Sequence, residues 1–246
     1  MQLKNNTVYL GDSVNYCQDF ENPYYHLILT DIPYLISRKN QFKTMGREGF
    51  NFDWDQTFDI NDLRHLPNVL KPGGSLVLFS SFQQIGAIEE VLINAGLKAK
   101  DKIIAVKSNP QPRNTKRRFV PALESISWFV KPGAKWTFNR RPGKKYENGL
   151  FEASIPLKLK KFHPTAKPIS ILEDLIYIFS NKGEIVFDPF AGCNTTAIAA
   201  SNIGRKFITV EIDEKIHEKA CQLLTEKEIK FHAEKIPIQY NKTNNS

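Results

Sequence analysis

An α/β domain built on a mostly parallel, doubly wound sheet is predicted by three features of this 246-residue sequence. Seven short apolar runs read as strands, and several are continuous, as expected of strands covered on both faces. Helical patterns lie between many of them, the alternation that accompanies a parallel sheet. The length suits one large α/β domain or two small ones. A content of 41% hydrophobic and 24% charged residues is ordinary for a globular chain and rules out disorder or a fibrous repeat.

Taken in order, the strand candidates are 8–10, 27–30, 75–80, 102–107, 125–130, 184–187 and 206–210. A helix over 83–95 places Ile85, Ile88, Val91, Leu92 and Ala95 on one face, with Gly96 as its stop. A helix over 168–181 does the same with Ile169, Leu172, Leu175, Ile176 and Phe179, and Gly183 lies just beyond it. Asp213 is placed to cap a last helix through Ile216, Ala220 and Leu223. Residues 61–70 are helical in pattern, although Pro67 argues against an uninterrupted helix. Two stretches, 35–58 and 131–162, break the alternation. Both are long for loops in a compact domain, and such loops are functional or disordered. The polar tail at 241–246 is expected to fray.

No apolar run approaches the roughly 18 residues of a membrane span, and the start lacks the apolar stretch of a signal peptide. Cys17, Cys193 and Cys221 are far apart and form no Cys-x-x-Cys pair, so neither a disulfide framework nor a zinc site is expected. A reduced, cytoplasmic protein is the simplest expectation. Charge is unevenly distributed. Residues 98–145 carry fourteen Lys and Arg against only Asp101 and Glu124, a net +12, while the rest of the chain sums to −4. Such a block is either a solvated basic face or the footprint of a polyanion, and nucleic acid is the favoured partner.

Four acidic residues stand at or just past strand ends: Asp12, Asp31, Asp188 and Glu211. Ligands of open α/β sheets bind beyond the carboxyl ends of strands, so these four are candidates to line one crevice. Each alone is more commonly a turn or helix-cap residue. Residues 187–196, FDPFAGCNTT, read as a strand, a tight turn at Gly192 and the start of a helix, which lets a ligand approach the backbone near a helix N-terminus. Glu211 follows Gly192 by 19 residues, a spacing that suits a carboxylate binding ribose hydroxyls. There is no G-x-G-x-x-G, so a nicotinamide or flavin site is a poor match.

FDPFAGCNTT resembles the D-P-F-x-G-S-G-T-T cofactor motif of the β-class amino-methyltransferases that modify DNA. Asp31-Ile32-Pro33-Tyr34 resembles their catalytic D-P-P-Y, and 163–168, HPTAKP, is similar to their H-P-T-x-K-P. The three motifs occur in the family's order and span nearly the whole chain. FDWD at 52–55, NPQPRNTKRRFV at 109–120 and AKWTFN at 134–139 look closest to the MboII-like branch, which methylates adenine N6. The resemblance implies a single catalytic domain over 1–246 with a seven-stranded, circularly permuted sheet, in which the strand at 8–10 lies at the edge beyond 206–210. It implies S-adenosylmethionine as cofactor. Glu211 would bind its ribose and Asp12 would lie against its adenine. Phe190, Gly192, Thr195 and Thr196 would surround its methionine half, with Asp188 and Asn194 in the same turn and help from His163, Thr165 and Lys167. Asp31 would sit between cofactor and target. Its carboxylate and the Ile32 carbonyl would accept the hydrogens of the target amine, Tyr34 would stack on a flipped-out adenine, and Pro33 belongs to the same catalytic motif. No metal is called for.

Two departures matter. Ile32 replaces the first proline of D-P-P-Y, which keeps the carbonyl but frees φ and adds an N–H. Asn194 replaces a glycine, and asparagine tolerates positive φ better than most residues. For DNA, Arg113, Lys116, Arg117 and Arg118 are assigned to the cleft, and Arg140 and Arg141, with Lys144 and Lys145, to a recognition region at 131–162. The stretch 35–58 is the expected active-site or DNA loop. Trp54, Trp128 and Trp136 read as core or loop anchors. Cytosine-N4 methylation on the same scaffold, a SAM- and DNA-binding homologue that has lost catalysis, and RNA or protein methylation remain the alternatives. A homodimer and a separately acting restriction endonuclease stay open as partners.

Overall fold

The computed structural model describes residues 3–18, 20, 22–34, 58–110, 112, 115–117, 119–154, 159 and 166–236. In chain order these form β1 (Thr7–Leu10), α1 (Ser13–Gln18) and β2 (Tyr25–Asp31), then a 3-10 turn (Ile60–His65) that runs into the short α2 (Leu66–Val69). Next come β3 (Leu70–Ser80), a 3-10 turn (Phe82–Gln84), α3 (Ile85–Asn94), β4 (Lys98–Lys107), β5 (Leu123–Val130) and β6 (Leu150–Ala153). The last third contains α4 (Ile169–Phe179), β7 (Ile185–Asp188), α5 (Thr195–Asn202), β8 (Lys206–Glu211), α6 (Glu214–Glu226) and β9 (His232–Lys235).

The strands make one sheet in the order β6-β4-β5-β3-β2-β7-β8-β1-β9. Pairings are parallel throughout, except that β5 runs antiparallel to both β3 and β4. All seven expected strands form, and among the described residues the sheet has nine strands rather than the expected seven. β6 buries only Phe151, and β9 (HAEK) buries no residue. Edge strands need backbone pairing more than an apolar face, so neither stood out as a strand in the sequence. The expectation that β1 forms the edge is corrected too: β1 does pair with β8, but β9 pairs on its other side. The helical pattern at 61–70 resolves into a 3-10 turn and then α2, with Pro67 in the first turn of α2, where its missing N–H costs nothing.

Side chains alternate along the strands and fill both faces. Leu27, Leu29, Val77, Phe79, Ile126 and Trp128 pack against Leu172, Leu175, Ile176 and Phe179 of α4 and Ala197 and Ile198 of α5. Ile28, Leu76, Leu78 and Phe129 pack on the other side against Tyr16 of α1, Val69 of α2 and Ile88 and Leu92 of α3. Each fully buried Leu, Ile or Phe contributes about 1.5–3 kcal/mol. The sheet is therefore doubly wound. Because β1, β2, β3, β4, β7 and β8 all run one way, the ends of β2, β7 and β8 and the start of β5 share one edge.

The stretch 131–154 is tied to this frame. The Asn139 side-chain amide donates to the carbonyls of Tyr177 (3.0 Å) and Ser180 (2.9 Å), satisfying the end of α4. Arg141 bonds Glu147 at 2.6 Å and Asp174 of α4 at 2.5 Å, and its guanidinium lies 4.7 Å from the Phe151 ring centre. Arg141, expected in the DNA recognition region, thus uses its charge inside the protein, whereas Arg140 is exposed. Arg141→Ala is expected to cost about 1–2 kcal/mol, because Glu147 and Asp174 lose the counter-charge they share and only water replaces it. Arg140→Ala should cost less than about 0.5 kcal/mol. Urea denaturation of the two variants checks this contrast.

Candidate active site

Asp31 ends β2 at the carboxyl edge, and Lys167, just before α4, donates to its Oδ2. Lys167 is buried, and its Nζ lies 3.6 Å from Glu124 Oε2 of β5. Glu124 Oε1 takes Lys107 Nζ of β4 at 2.7 Å. Four charges of alternating sign therefore run from Asp31 at the end of β2 to Lys107 of the basic segment. Burial works against the Lys167 charge, but Asp31 and Glu124 outweigh it and hold the ammonium above its ordinary value. Burial likewise opposes the Glu124 charge, yet Lys167 and Lys107 keep that carboxyl below the usual range. Burial pushes the Asp31 carboxyl up, with Lys167 pulling it back and Glu124 adding to the rise. Asp31 Oδ1 is buried and has no hydrogen-bond partner, and neither does the buried Tyr34 hydroxyl.

The rest of the motif is held from outside. The Ile32 N–H donates to Phe79 O (3.3 Å), so the N–H that proline lacks extends the β2–β3 ladder by one bond. The Gln84 side-chain amide donates to Pro33 O (2.9 Å), and its Oε1 accepts from the Ser81 hydroxyl (2.7 Å) and N–H (3.1 Å). The sequence Ser81-Phe82-Gln83-Gln84 is a capping box, a signal that could have marked Gln84 as a support of the site.

The second half of the site is the turn between β7 and α5. Gly192 (φ 52°) and Asn194 (φ 63°) both take left-handed conformations, and the Gly192 N–H donates to Glu211 Oε2 at 2.9 Å. Glu211 Oε1 accepts from the Asp213 N–H at 2.9 Å. Asp188 Oδ1 accepts from the Thr30 hydroxyl (2.7 Å) and the Phe190 N–H (3.2 Å), which locks β7 to β2. Burial pushes the Asp188 carboxyl up to about 6 against the hydrogen bonds of Thr196, Thr30 and Phe190, and pushes Glu211 up to about 7. Asn194 is fully buried, and neither its Oδ1 nor its Nδ2 has a partner. Leaving such groups unsatisfied costs about 1–3 kcal/mol. Thr195 and Thr196 are buried behind it, and the Phe190 ring meets Phe58 edge-on at 5.5 Å.

The structure thus brings Asp31, Ile32, Pro33, Tyr34, Lys167, Asp188, Phe190, Gly192, Asn194, Thr195, Thr196 and Glu211 to one sheet edge. Asp12 also lies there, but its carboxylate caps α1, accepting from the Val14 N–H (2.8 Å), the Asn15 N–H (3.3 Å) and the Asn15 amide (2.9 Å). His163, Thr165, Arg113 and Arg118, with most of 35–58, lie outside the described residues. Lys116 and Arg117 are exposed in a turn. Sequence reasoning missed Glu124 as a site residue. It is one of two acids in the +12 segment and stands near the start of a strand antiparallel to its neighbours, which puts it at the same sheet edge as Asp31. Among the described residues no group of three or more His, Cys, Asp and Glu is placed to hold a metal ion, and no helix is long and apolar enough to cross a membrane.

A family model described as DNA methylase, that of the N6/N4 methyltransferases, matches residues 25–222. The chain belongs to this family and is an S-adenosylmethionine-dependent DNA methyltransferase. It is 30% identical over 246 residues to the type II methyltransferase M.HinfI of Haemophilus influenzae, spanning 90% of this chain and 68% of that protein. It is 28% identical over 209 residues to the type II methyltransferase M2.DpnII of Streptococcus pneumoniae, spanning 77% of this chain and 78% of that protein. The solved structure of the M1.HpyAVI-SAM complex is similar at TM-score 0.72 and 32% identity, covering 89% of this chain and 98% of that one.

The raised Glu211 has a measurable consequence. Ionising it costs more in the folded than in the unfolded protein, so this contribution to stability is full below about 4.5, is lost as pH rises to about 7, and stays constant above. Relative to wild type, Glu211→Gln should therefore gain about 3 kcal/mol between pH 4.5 and 7 and nothing more by pH 8. Denaturant midpoints of the cofactor-free proteins across that range test it.

Proposed function

We propose that this protein transfers a methyl group to N6 of an adenine flipped out of DNA, as the modification enzyme of the MboII-like branch. The observation that carries this reading is Asp31 Oδ1: a buried carboxylate oxygen without a hydrogen-bond partner, in a carboxyl that the Tyr34 side chain faces and whose other oxygen is already held by Lys167. An amine that loses its resonance with the ring as it reacts needs an acceptor of this kind. Asp31 Oδ1 accepts one N6–H and the Ile32 carbonyl the other. Both bonds strengthen as charge develops on nitrogen, about 1.5–3 kcal/mol for the charged one. Tyr34 stacks on the base and offsets part of the cost of flipping.

The residues present fit S-adenosylmethionine. Glu211 keeps carboxylate lone pairs for the ribose hydroxyls, Asp12 flanks the adenine, and the orphaned Asn194 amide offers a donor and an acceptor to the amino-acid end. Phe190, Gly192, Thr195 and Thr196 line that end, with Asp188 bracing the turn and Lys167 nearby, and His163 and Thr165 keep the cofactor role that the motif assigns them. When bound, the cofactor supplies an electrophilic sulfonium methyl. The order of β2 before the β7–α5 turn supports a circularly permuted sheet. Residues 131–162 serve as the target-recognition region and 35–58 as the active-site loop. The type II relatives support a restriction-modification role.

Transfer of labelled methyl groups to DNA, followed by nucleoside analysis, tests the reading. N6-methyladenine is expected from wild type, and Asp31→Asn should form none above background while remaining folded. N4-methylcytosine as the product, or turnover by Asp31→Asn near wild type, contradicts it. For binding to DNA, replacing exposed Lys116 and Arg117 together with alanine should lower the salt slope of duplex binding by about 1.8, about 0.9 for each phosphate no longer neutralised. Binding isotherms at several salt concentrations measure it, with cofactor affinity unchanged as the control.

A further inference from the structure

Lys167 does not serve Asp31 alone. Its ammonium stands between Asp31 Oδ2 and Glu124 Oε2, the second at 3.6 Å, close enough to attract yet longer than a hydrogen bond. Glu124 in turn is bound at 2.7 Å by Lys107, whose side chain is about a quarter exposed. A buried charge pair is a weak way to hold β5 against the segment before α4, because apolar residues of similar volume serve that purpose at least as well. The second acid therefore calls for a role in the chemistry. A lysine paired with Asp31 alone would neutralise the carboxylate and blunt it as an acceptor. A lysine shared with a second acid leaves part of that charge available.

We infer that Glu124 is a positioning residue for methyl transfer: by drawing on Lys167 it leaves Asp31 the negative charge that grips the substrate amine, and Lys107 sets how strongly Glu124 draws. This rests on the reading of Asp31 as the amine acceptor. The charged and titratable groups around these residues are few. Asp31 faces Lys167, Glu124, Tyr34 and Asp188. Lys167 faces Asp31, Glu124 and the Cys193 thiol, with the rings of Tyr34 and Phe79 5.1 and 5.4 Å from its Nζ. Glu124 faces Lys167, Lys107 and Asp31.

Two substitutions then act in opposite directions. Glu124→Gln removes a negative charge from beside Asp31 and leaves it the sole partner of Lys167, so Asp31 should titrate at lower pH. Lys107→Met, at a partly exposed position, leaves the Glu124 charge undivided, so Asp31 should titrate at higher pH. The test is carboxyl 13C NMR titration of cofactor-free protein, with the Asp31 signal assigned by its loss in Asp31→Asn, together with the pH dependence of kcat. Expected shifts are about one pH unit down for Glu124→Gln and a smaller rise for Lys107→Met. The acid limb of kcat should move the same way. The neutral-pH kcat of Glu124→Gln should fall several-fold while its Kd for S-adenosylmethionine is unchanged, and Glu124→Asp should restore the wild-type limb. An Asp31 titration that stays in place, or moves the same way in both variants, overturns the positioning role. If Glu124→Gln does not fold, the direction of the Lys107→Met shift decides alone. Loss of turnover in Asp31→Asn without these shifts overturns only the role of Glu124. Turnover retained by Asp31→Asn overturns the Asp31 reading and this inference with it.

Discussion

A lysine ammonium buried where water cannot reach it must be countered by the protein, and the edge of the sheet at the end of β2 is arranged around that requirement. Lys167 is buried, and Asp31 and Glu124 meet it from two different strands. Removing one partner of such a set leaves an uncompensated charge, which is far more costly than the set is stabilising. The end of β2, the start of β5 and the approach to α4 are thereby held together. The neighbouring backbone follows. The Ile32 N–H joins the β3 ladder, and Gln84 reaches from its capping box to the Pro33 carbonyl. The motif is thus supported from both sides before any substrate arrives, which is where electrostatic catalysis gains its advantage.

The other half of the edge follows a different logic. Parallel strands deliver Asp188 and Glu211 to the same side, and the turn at Gly192 and Asn194 brings backbone N–H groups to meet them. Much of the acidic character of the crevice is already engaged in holding the turn together. Among the described residues, several of the buried polar atoms left without partners lie at this edge, namely Asp31 Oδ1, the Tyr34 hydroxyl and both polar atoms of Asn194, and these mark where a ligand has most to offer.

The fold was legible wherever burial writes a pattern. Continuous apolar runs gave the central strands, and the four acids past strand ends did converge on one edge. β6 and β9 were not legible, because an edge strand such as His232–Lys235 needs only its backbone to pair. Arg141 looked like one more cation of a basic block, and only its tertiary pairing with Glu147 and Asp174 turned it inward. Asp12 shows the opposite limit: an acid after a strand is also a good helix cap, and here its oxygens are taken by α1. Glu124 carried its signal in its isolation among basic residues, but its meaning depended on β5 running antiparallel.

The dependence of the site on the Lys167 ion pair can be measured as a double-mutant cycle of Lys167→Met and Asp31→Asn, read by chemical denaturation. Neighbours that share a buried charge should be strongly non-additive, with the double variant at least about 1 kcal/mol more stable than the sum of the single losses implies. Additivity to within about 0.5 kcal/mol would mean that the two side chains are independent, and would contradict the dependence of this sheet edge on the Lys167–Asp31 pair.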